Sequence, residues 1–359
     1  MEARHAQILA RLTLLAAVFT LMVIAKGAYT RLTDAGLGCP DWPGCYGFLT
    51  VPSGDKVELA EQAFPDTPVE AFKAWVEMIH RYMATFLGVL IVAITVLGVK
   101  WAPTDKSQGW PRKHLYFLLF LVCLQGAFGA WTVTLKLLPK IVTLHLIGGF
   151  SVLTTLALLS ARFYRWSPER EVSPTQRAGL ARLLPLGWVA LAALCIQIFL
   201  GGWTSTNYAA LACPDLPKCQ GQWWPPTDFK TGFDLIQDVG PNYLGGQLDN
   251  DARVAIHLTH RIGAIVVTVL VGALSLLMMV RGGGGFYSRA GALMMAALWV
   301  QIALGLSNIL YQLPLSVATL HNVGAAVLLQ ILVLCVWSLR RVAADAIAPQ
   351  SIQPRWARA

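Results

Sequence analysis

Charge is scarce in this sequence. Only 13% of its 359 residues are Asp, Glu, Lys or Arg while 56% are apolar, and an ordinary soluble domain carries roughly 25% charged residues. The shortage excludes such a domain. A gathered basic arm or stripe is also lacking: the net charge is +9, but the Lys and Arg residues are spread over loop ends, which excludes a nucleic-acid surface. What remains is a membrane protein. Long apolar runs cover about Leu9–Ala28, Trp75–Val99, Leu115–Leu135, Ile141–Phe163, Leu183–Trp203, Val254–Val280, Ala290–Leu310 and Ser316–Leu339. At 1.5 Å per residue each can cross a hydrocarbon core of about 30 Å as a helix.

The placement of the basic residues sets the orientation. Arg4 and Arg11 precede or open the first run, while Lys100, Lys106, Arg112 and Lys113 join the second to the third. Arg162, Arg165, Arg170, Arg177 and Arg182 join the fourth to the fifth, Arg281 and Arg289 the sixth to the seventh, and Arg340, Arg341, Arg355 and Arg358 follow the last. If eight helices alternate, all these segments share one side, and the positive-inside rule makes that side the cytoplasm, with both termini there. The expected home is a bacterial inner membrane. The first run has the basic start of a signal peptide, but its end, KGAYT, is echoed by GGWTS where the fifth run ends. It is read as a retained helix.

Acidic residues instead gather in two long loops on the opposite face, which also hold two cysteine pairs, Cys39 with Cys45 in CPDWPGC and Cys213 with Cys219 in CPDLPKC. In an oxidising compartment such as the periplasm, each pair reads as a disulfide, with one four-cysteine zinc site as the competing reading. Cys123, Cys195 and Cys335 lie in apolar runs as small buried hydrophobes.

The cysteine loops expose an internal repeat. A shift of 174 carries Cys39 onto Cys213, Gly27 onto Gly201 and Gly47 onto Gly221. Further along, EMIHRYMA meets HLTHRIGA, LQGAFGAW meets VQIALGLS, and LPKIVTLHLIGG meets LPLSVATLHNVGA. Four helices per half insert the same way up, so the fold expected is an all-α membrane protein of eight transmembrane helices, as two four-helix bundles related by a pseudo-twofold axis along the membrane normal. The expected division is 1–165 for the first bundle and its outer loop, 166–182 for a cytoplasmic linker, 183–342 for the second bundle and 343–359 for a cytoplasmic tail.

Within that frame His80, His145, His260 and His321 fall in one layer, about 10 Å below the outer surface at helical rise. Intramembrane ionisable residues are costly and mark function. Two imidazoles per half are too few for zinc, which takes three or four protein ligands. They suit haem iron, which takes two axial groups on opposite faces. Arg81 and Arg261, each following a candidate ligand, can reach sideways to a propionate or snorkel to the interface, and Lys26 shares both readings. The halves differ at one position: Glu77 lies three residues before His80, whereas His257 lies three before His260. A carboxylate on the same helix face as the first site can take or return protons during substrate oxidation. The second half reads as an electron-transfer or structural haem site, with His257 available for a propionate or as an alternative ligand.

Glu77-x-x-His80-Arg81, Thr143-Leu144-His145, His260-Arg261, Thr319-Leu320-His321 and the paired loop cysteines together resemble the haem A synthase family, from Gly27 through His321. The resemblance implies oxidation of a haem O methyl to the formyl group of haem A by successive hydroxylations, for terminal oxidases. It implies His80 and His145 as substrate-haem ligands, Glu77 as the acid or base, and His260 and His321 as ligands of a haem b cofactor. It also implies disulfides Cys39–Cys45 and Cys213–Cys219, supply by a haem O synthase, oxidase assembly factors downstream, and an electron donor or acceptor that the sequence does not name. A homo-oligomer is left open. The rival reading is a two-haem b-type membrane electron carrier, which explains the histidines but not the Glu77 asymmetry.

Overall fold

In hydrocarbon an apolar run satisfies its peptide groups by bonding within a helix, and helices dominate the computed structural model, which describes residues 2–104 and 109–347. In chain order they are α1 (Glu2–Leu32), α2 (Lys56–Ala63), α3 (Ala71–Lys100), α4 (Arg112–Thr134), α5 (Pro139–Phe163), α6 (Pro174–Ala181), α7 (Leu184–Thr206), α8 (Phe229–Gly232), α9 (Asn250–Arg281), α10 (Phe286–Leu310) and α11 (Leu315–Ile347). Eight of them, α1, α3, α4, α5, α7, α9, α10 and α11, are long and apolar enough to cross a membrane. The protein is therefore an all-α membrane protein with eight candidate spans. Lys106, Arg355, Arg358 and the expected tail beyond residue 347 lie outside the described residues.

The spanning helices mostly outrun the apolar stretches that announce them. α1 continues to Leu32, and α11 continues past Leu339 to Ile347. Hydropathy marks the part of a helix that meets lipid, whereas backbone bonding carries each helix on into water until a turn ends it. Before α5 and α11 the stop is the same: Lys136 and Leu137 have φ of 48° and 62°, and Gln312 and Leu313 have φ of 55° and 63°. A proline then opens α5 at Pro139, where a missing N–H costs nothing.

Packing follows the repeat. In the first half α1 packs on α3 and α5, and α4 packs on the same two; in the second, α7 and α10 each pack on α9 and α11. The halves meet through α1 on α11, α5 on α7 and α5 on α11. One buried core runs through both halves, joining Leu9, Ile91 and Leu156 to Val271, Leu274 and Leu332. Several contacts between halves join a residue to its own repeat counterpart, as happens to residues near a twofold axis. Arg31 Nη2 donates to Ser205 O at 2.6 Å and Tyr208 O–H donates to Asp34 Oδ1 at 2.7 Å, both across 174 positions. Gln330 donates to Thr154 Oγ1 at 3.1 Å across 176 positions, the offset that also pairs His145 with His321.

The connection 166–182 is folded, with a 3-10 turn over Pro168–Glu171 followed by α6, which packs on α11 and α9. Ser173 caps α6 by accepting from Gln176 N, and Gln176 Oε1 accepts from Ser173 N, a reciprocal cap readable in S-P-T-Q.

Candidate functional site: a histidine layer beneath two disulfide loops

Each half carries the same short loop after its first spanning helix. Cys39–Cys45 and Cys213–Cys219 are disulfide-bonded, so the competing four-cysteine zinc reading does not hold. The aspartate of CPD explains its presence in both copies. Asp41 accepts the N–H groups of Tyr46 and Gly47 at 2.6 and 2.8 Å, and Asp215 accepts those of Gln220 and Gly221 at 2.6 and 2.9 Å. Gly47 and Gly221, at φ of 78° and 76°, take a backbone conformation that other residues adopt only with strain. The Gly221 and Gln220 N–H groups hold the Asp215 carboxyl below the usual carboxylate range.

Each loop is clamped onto the following spanning helix by an arginine. Arg81 donates to Asp41 O at 2.9 Å and Pro43 O at 3.3 Å, and also to Gly44 O. Arg261 donates to Cys213 O at 2.7 Å, Asp215 O at 2.9 Å and Lys218 O at 2.9 Å. The donors that the sequence reading sends to a propionate are thus engaged by loop carbonyls. Glu77, 4% exposed, pairs with Arg81 through one oxygen and accepts Cys39 N at 2.9 Å through the other. His257, 3% exposed, accepts Cys213 N at 3.3 Å through Nδ1. Glu77 and His257 therefore do one structural job in their two halves, and only the first brings a carboxylate. Gly38 lets the first loop lie against α3, since a Cβ there would fall 2.5 Å from the Lys73 carbonyl carbon.

Below the loops lie the four imidazoles, His80 on α3, His145 on α5, His260 on α9 and His321 on α11, each two to three turns from the start of its helix. His80 and His145 lie near one another in the first half, as do His260 and His321 in the second. Every one faces a glycine on a neighbouring helix. A Cβ added at Gly27 would stand 3.0 Å from His80 Cε1, at Gly201 3.2 Å from His260, at Gly305 3.1 Å from His321 and at Gly129 3.7 Å from His145. These are the glycines that the repeat pairs across the halves, and the structure supplies the reason: the ring lies against bare backbone. The Nδ1 atoms of His80, His145 and His321 are buried without a hydrogen-bond partner.

Glutamines add a feature that the sequence reading passes over. Gln197 Nε2 lies 3.1 Å from His260 Nδ1 and donates to His260 O at 3.0 Å. Gln301 Nε2 lies 3.4 Å from His321 Nε2 and donates to His321 O at 3.0 Å. In the first half Gln125 sits on α4 against Gly148, but the shift of 174 puts Val23 where Gln197 would be. The available signal was an isolated amide in the apolar run of α7.

Lys26, beside Gly27, stands 4.8 Å from the Tyr29 ring centroid. His5 stacks on Trp101 at 4.4 Å, away from the layer. Among the described residues no cluster of three or more His, Cys, Asp or Glu could hold a metal ion. Pairs of imidazoles with orphaned nitrogens, backed by glycine, fit a flat macrocycle held from both faces better than a small ion held by several side chains.

Comparison with known proteins agrees in scale with this repeat-wide pattern. The chain is 46% identical to a protein named heme A synthase from Shewanella oneidensis, over 90% of this chain and 94% of the relative. It is 28% identical to a protein of that name from Caulobacter vibrioides, over 92% and 95% respectively. It is 26% identical to another from Rhizorhabdus wittichii, over 89% and 91%. Its residues 10–333 match the family described as cytochrome oxidase assembly protein, which takes in all eight spans, both disulfide loops and the four-histidine layer. This chain is a multi-pass bacterial membrane protein that belongs to that family.

Proposed function

We propose that this protein is a haem A synthase, oxidising a methyl group of haem O to the formyl group of haem A by successive hydroxylations. The observation that carries the reading is the histidine layer: two imidazoles per half, each against a glycine, with the buried Nδ1 atoms of His80, His145 and His321 lacking partners. His80 and His145 would hold the substrate haem, and His260 and His321 a haem b cofactor. Haem bound by these residues would supply electron transfer in one half and the oxidising chemistry in the other.

The chain's own part is positioning and proton handling. Glu77 lies on the same face of α3 as His80, one turn outward, and its carboxylate is fixed by Arg81 and Cys39 N. It is the group that takes or returns a proton as the methyl group is oxidised. The second half carries His257 there, which anchors its loop and brings no carboxylate to handle a proton. That asymmetry favours the synthase over an electron carrier. The contacts between counterpart residues support a pseudo-twofold relation between bundles 1–165 and 183–342. The basic loop ends support cytoplasmic termini and periplasmic disulfide loops. Haem O would arrive from a haem O synthase and haem A would leave toward oxidase assembly.

The test is pigment analysis of cell membranes with and without the protein. Haem A should appear only with it, and haem O should accumulate in its absence. Identical pigments in both would overturn the reading.

A further inference from the structure

The end of the bundle opposite the disulfide loops carries a second constellation, remote from the histidine layer and independent of the haem reading. A cavity of about 550 Å³ opens between the halves there, lined by Arg162, Arg165, Arg170, Arg340 and Arg341. Arg341 is committed: it pairs with Glu169 at 2.6 Å, donates to Trp166 O at 2.9 Å and stands 4.7 Å from the Trp337 ring centroid. Among the described residues the other four have no ion pair. Arg162 sits in the field of both Arg340 and Arg341, so like charges crowd one rim with a single paired carboxylate beside them. Such an arrangement is relieved by an anion.

The same rim opens into an apolar slot. A second cavity, of about 710 Å³, shares Arg162, Trp337 and Arg340 with the first and runs between α4, α5, α7 and α11 past Phe117, Leu158, Trp188 and Leu191. Trp337 stacks on Trp166 at 5.7 Å, and Trp188 is 49% exposed at the start of α7. Tryptophans of this kind mark the headgroup level. Cationic rim, interfacial tryptophans and an apolar slot along the helices therefore meet in one place.

We propose that this crevice is a binding site for one anionic phospholipid, its phosphate among Arg162, Arg165, Arg170 and Arg340 and an acyl chain in the slot beside Leu158. The ligand bridges α5 and α11, so it ties the two halves together at the end opposite the disulfide loops. Basic pockets between helices at a membrane face recognise such headgroups.

Native mass spectrometry of the purified full-length protein with added phosphatidylglycerol or phosphatidylethanolamine tests this. The protein should retain one phosphatidylglycerol against phosphatidylethanolamine. Arg162→Gln with Arg340→Gln should weaken retention about thirtyfold, whereas Arg289→Gln, a basic residue outside the crevice, should not. Leu158→Trp, which fills the slot and leaves every arginine in place, should also release the lipid. Unchanged helicity by circular dichroism establishes that each variant is folded. Equal retention of the two lipids would overturn the proposal, as would an equal loss in Arg289→Gln. Full displacement by inorganic phosphate would show that the rim binds a free anion and that the slot plays no part, which also contradicts it.

Discussion

Glu77 and His257 occupy matching places in the two halves, each accepting the backbone N–H of the first cysteine in its disulfide loop, at 2.9 and 3.3 Å. The loop needs an acceptor there, and either side chain supplies one. What the first half adds is a carboxyl group one turn outward of His80.

Glu77→His separates those two roles. It copies the second half, so the loop should stay anchored and the protein should still fold. Haem A output should fall by about 10²-fold or more, the scale of a lost acid or base. Haem A quantified in membranes, alongside a melting curve of the purified protein, reads the split. Full output from this variant would leave Glu77 as an anchor alone.

Arg81→Lys and Arg261→Lys should loosen their loops. Arg81 meets three carbonyls through Nη1 while Nη2 holds Glu77, and Arg261 spreads both nitrogens over three carbonyls; a lysine, a point donor, cannot reproduce either fork. A loss of about 2 kcal/mol is expected for hydrogen bonds to a charged group. Faster amide exchange at 39–47 in the first variant and 213–221 in the second would register it, and unchanged exchange would count against the clamp.

The glycines facing the imidazoles should differ in tolerance. Gly129→Ala places its Cβ at ordinary contact, 3.7 Å, and should keep pigment. Gly27→Ala, at 3.0 Å, and Gly305→Ala, at 3.1 Å, force the ring to move and should shift the haem absorption spectrum or lower haem content. An inverted order would show that the rings do not rest on these glycines.

Gln197→Leu should reduce pigment held by the second half about tenfold, the usual effect of losing a group that orients a ligand. The first half has Val23 at that position, so the same substitution has no counterpart beside His80. Equal retention of haem by the variant and the parent protein would remove the amide from the account.

Acid should loosen the second loop through Asp215. Its carboxyl is held below the usual range by Gly221 and Gln220 N–H, so its contribution is present above the unfolded value of about 3.9 and is lost as pH falls through the lower folded value. Exchange of the Gln220 and Gly221 amides should therefore rise only below about pH 4, and Asp215→Asn should flatten that response.

Much of this architecture was legible before any coordinates. Eight apolar runs announce eight spans, because a membrane demands contiguous apolar length. The repeat was legible through Cys39 and Cys213, since spacing survives where side chains differ. Helix ends were less so: α1 and α11 outrun their apolar stretches because hydropathy reports lipid contact and is silent on where backbone bonding stops. α2 and α8 lie in polar loops, where no periodic signal rises above the turn residues around them. The histidines stood out as ionisable groups in apolar surroundings. Arg81 and Arg261 read as reaching a propionate or snorkelling to the interface, and their loop contacts stayed hidden because a sequence shows which residues are charged but not which carbonyls a folded loop turns toward them. Gln197 was passed over because a single neutral amide in α7 carries no motif until His260 is seen beside it.

The most direct test of two haem sites with one reacting half is the haem content of purified His80→Ala and His260→Ala proteins, identified by mass and spectrum. The account predicts that His80→Ala keeps haem b, makes no haem A and leaves haem O to accumulate, while His260→Ala loses its haem b. Haem A produced by the His80→Ala protein, or haem b retained unchanged by His260→Ala, would contradict it.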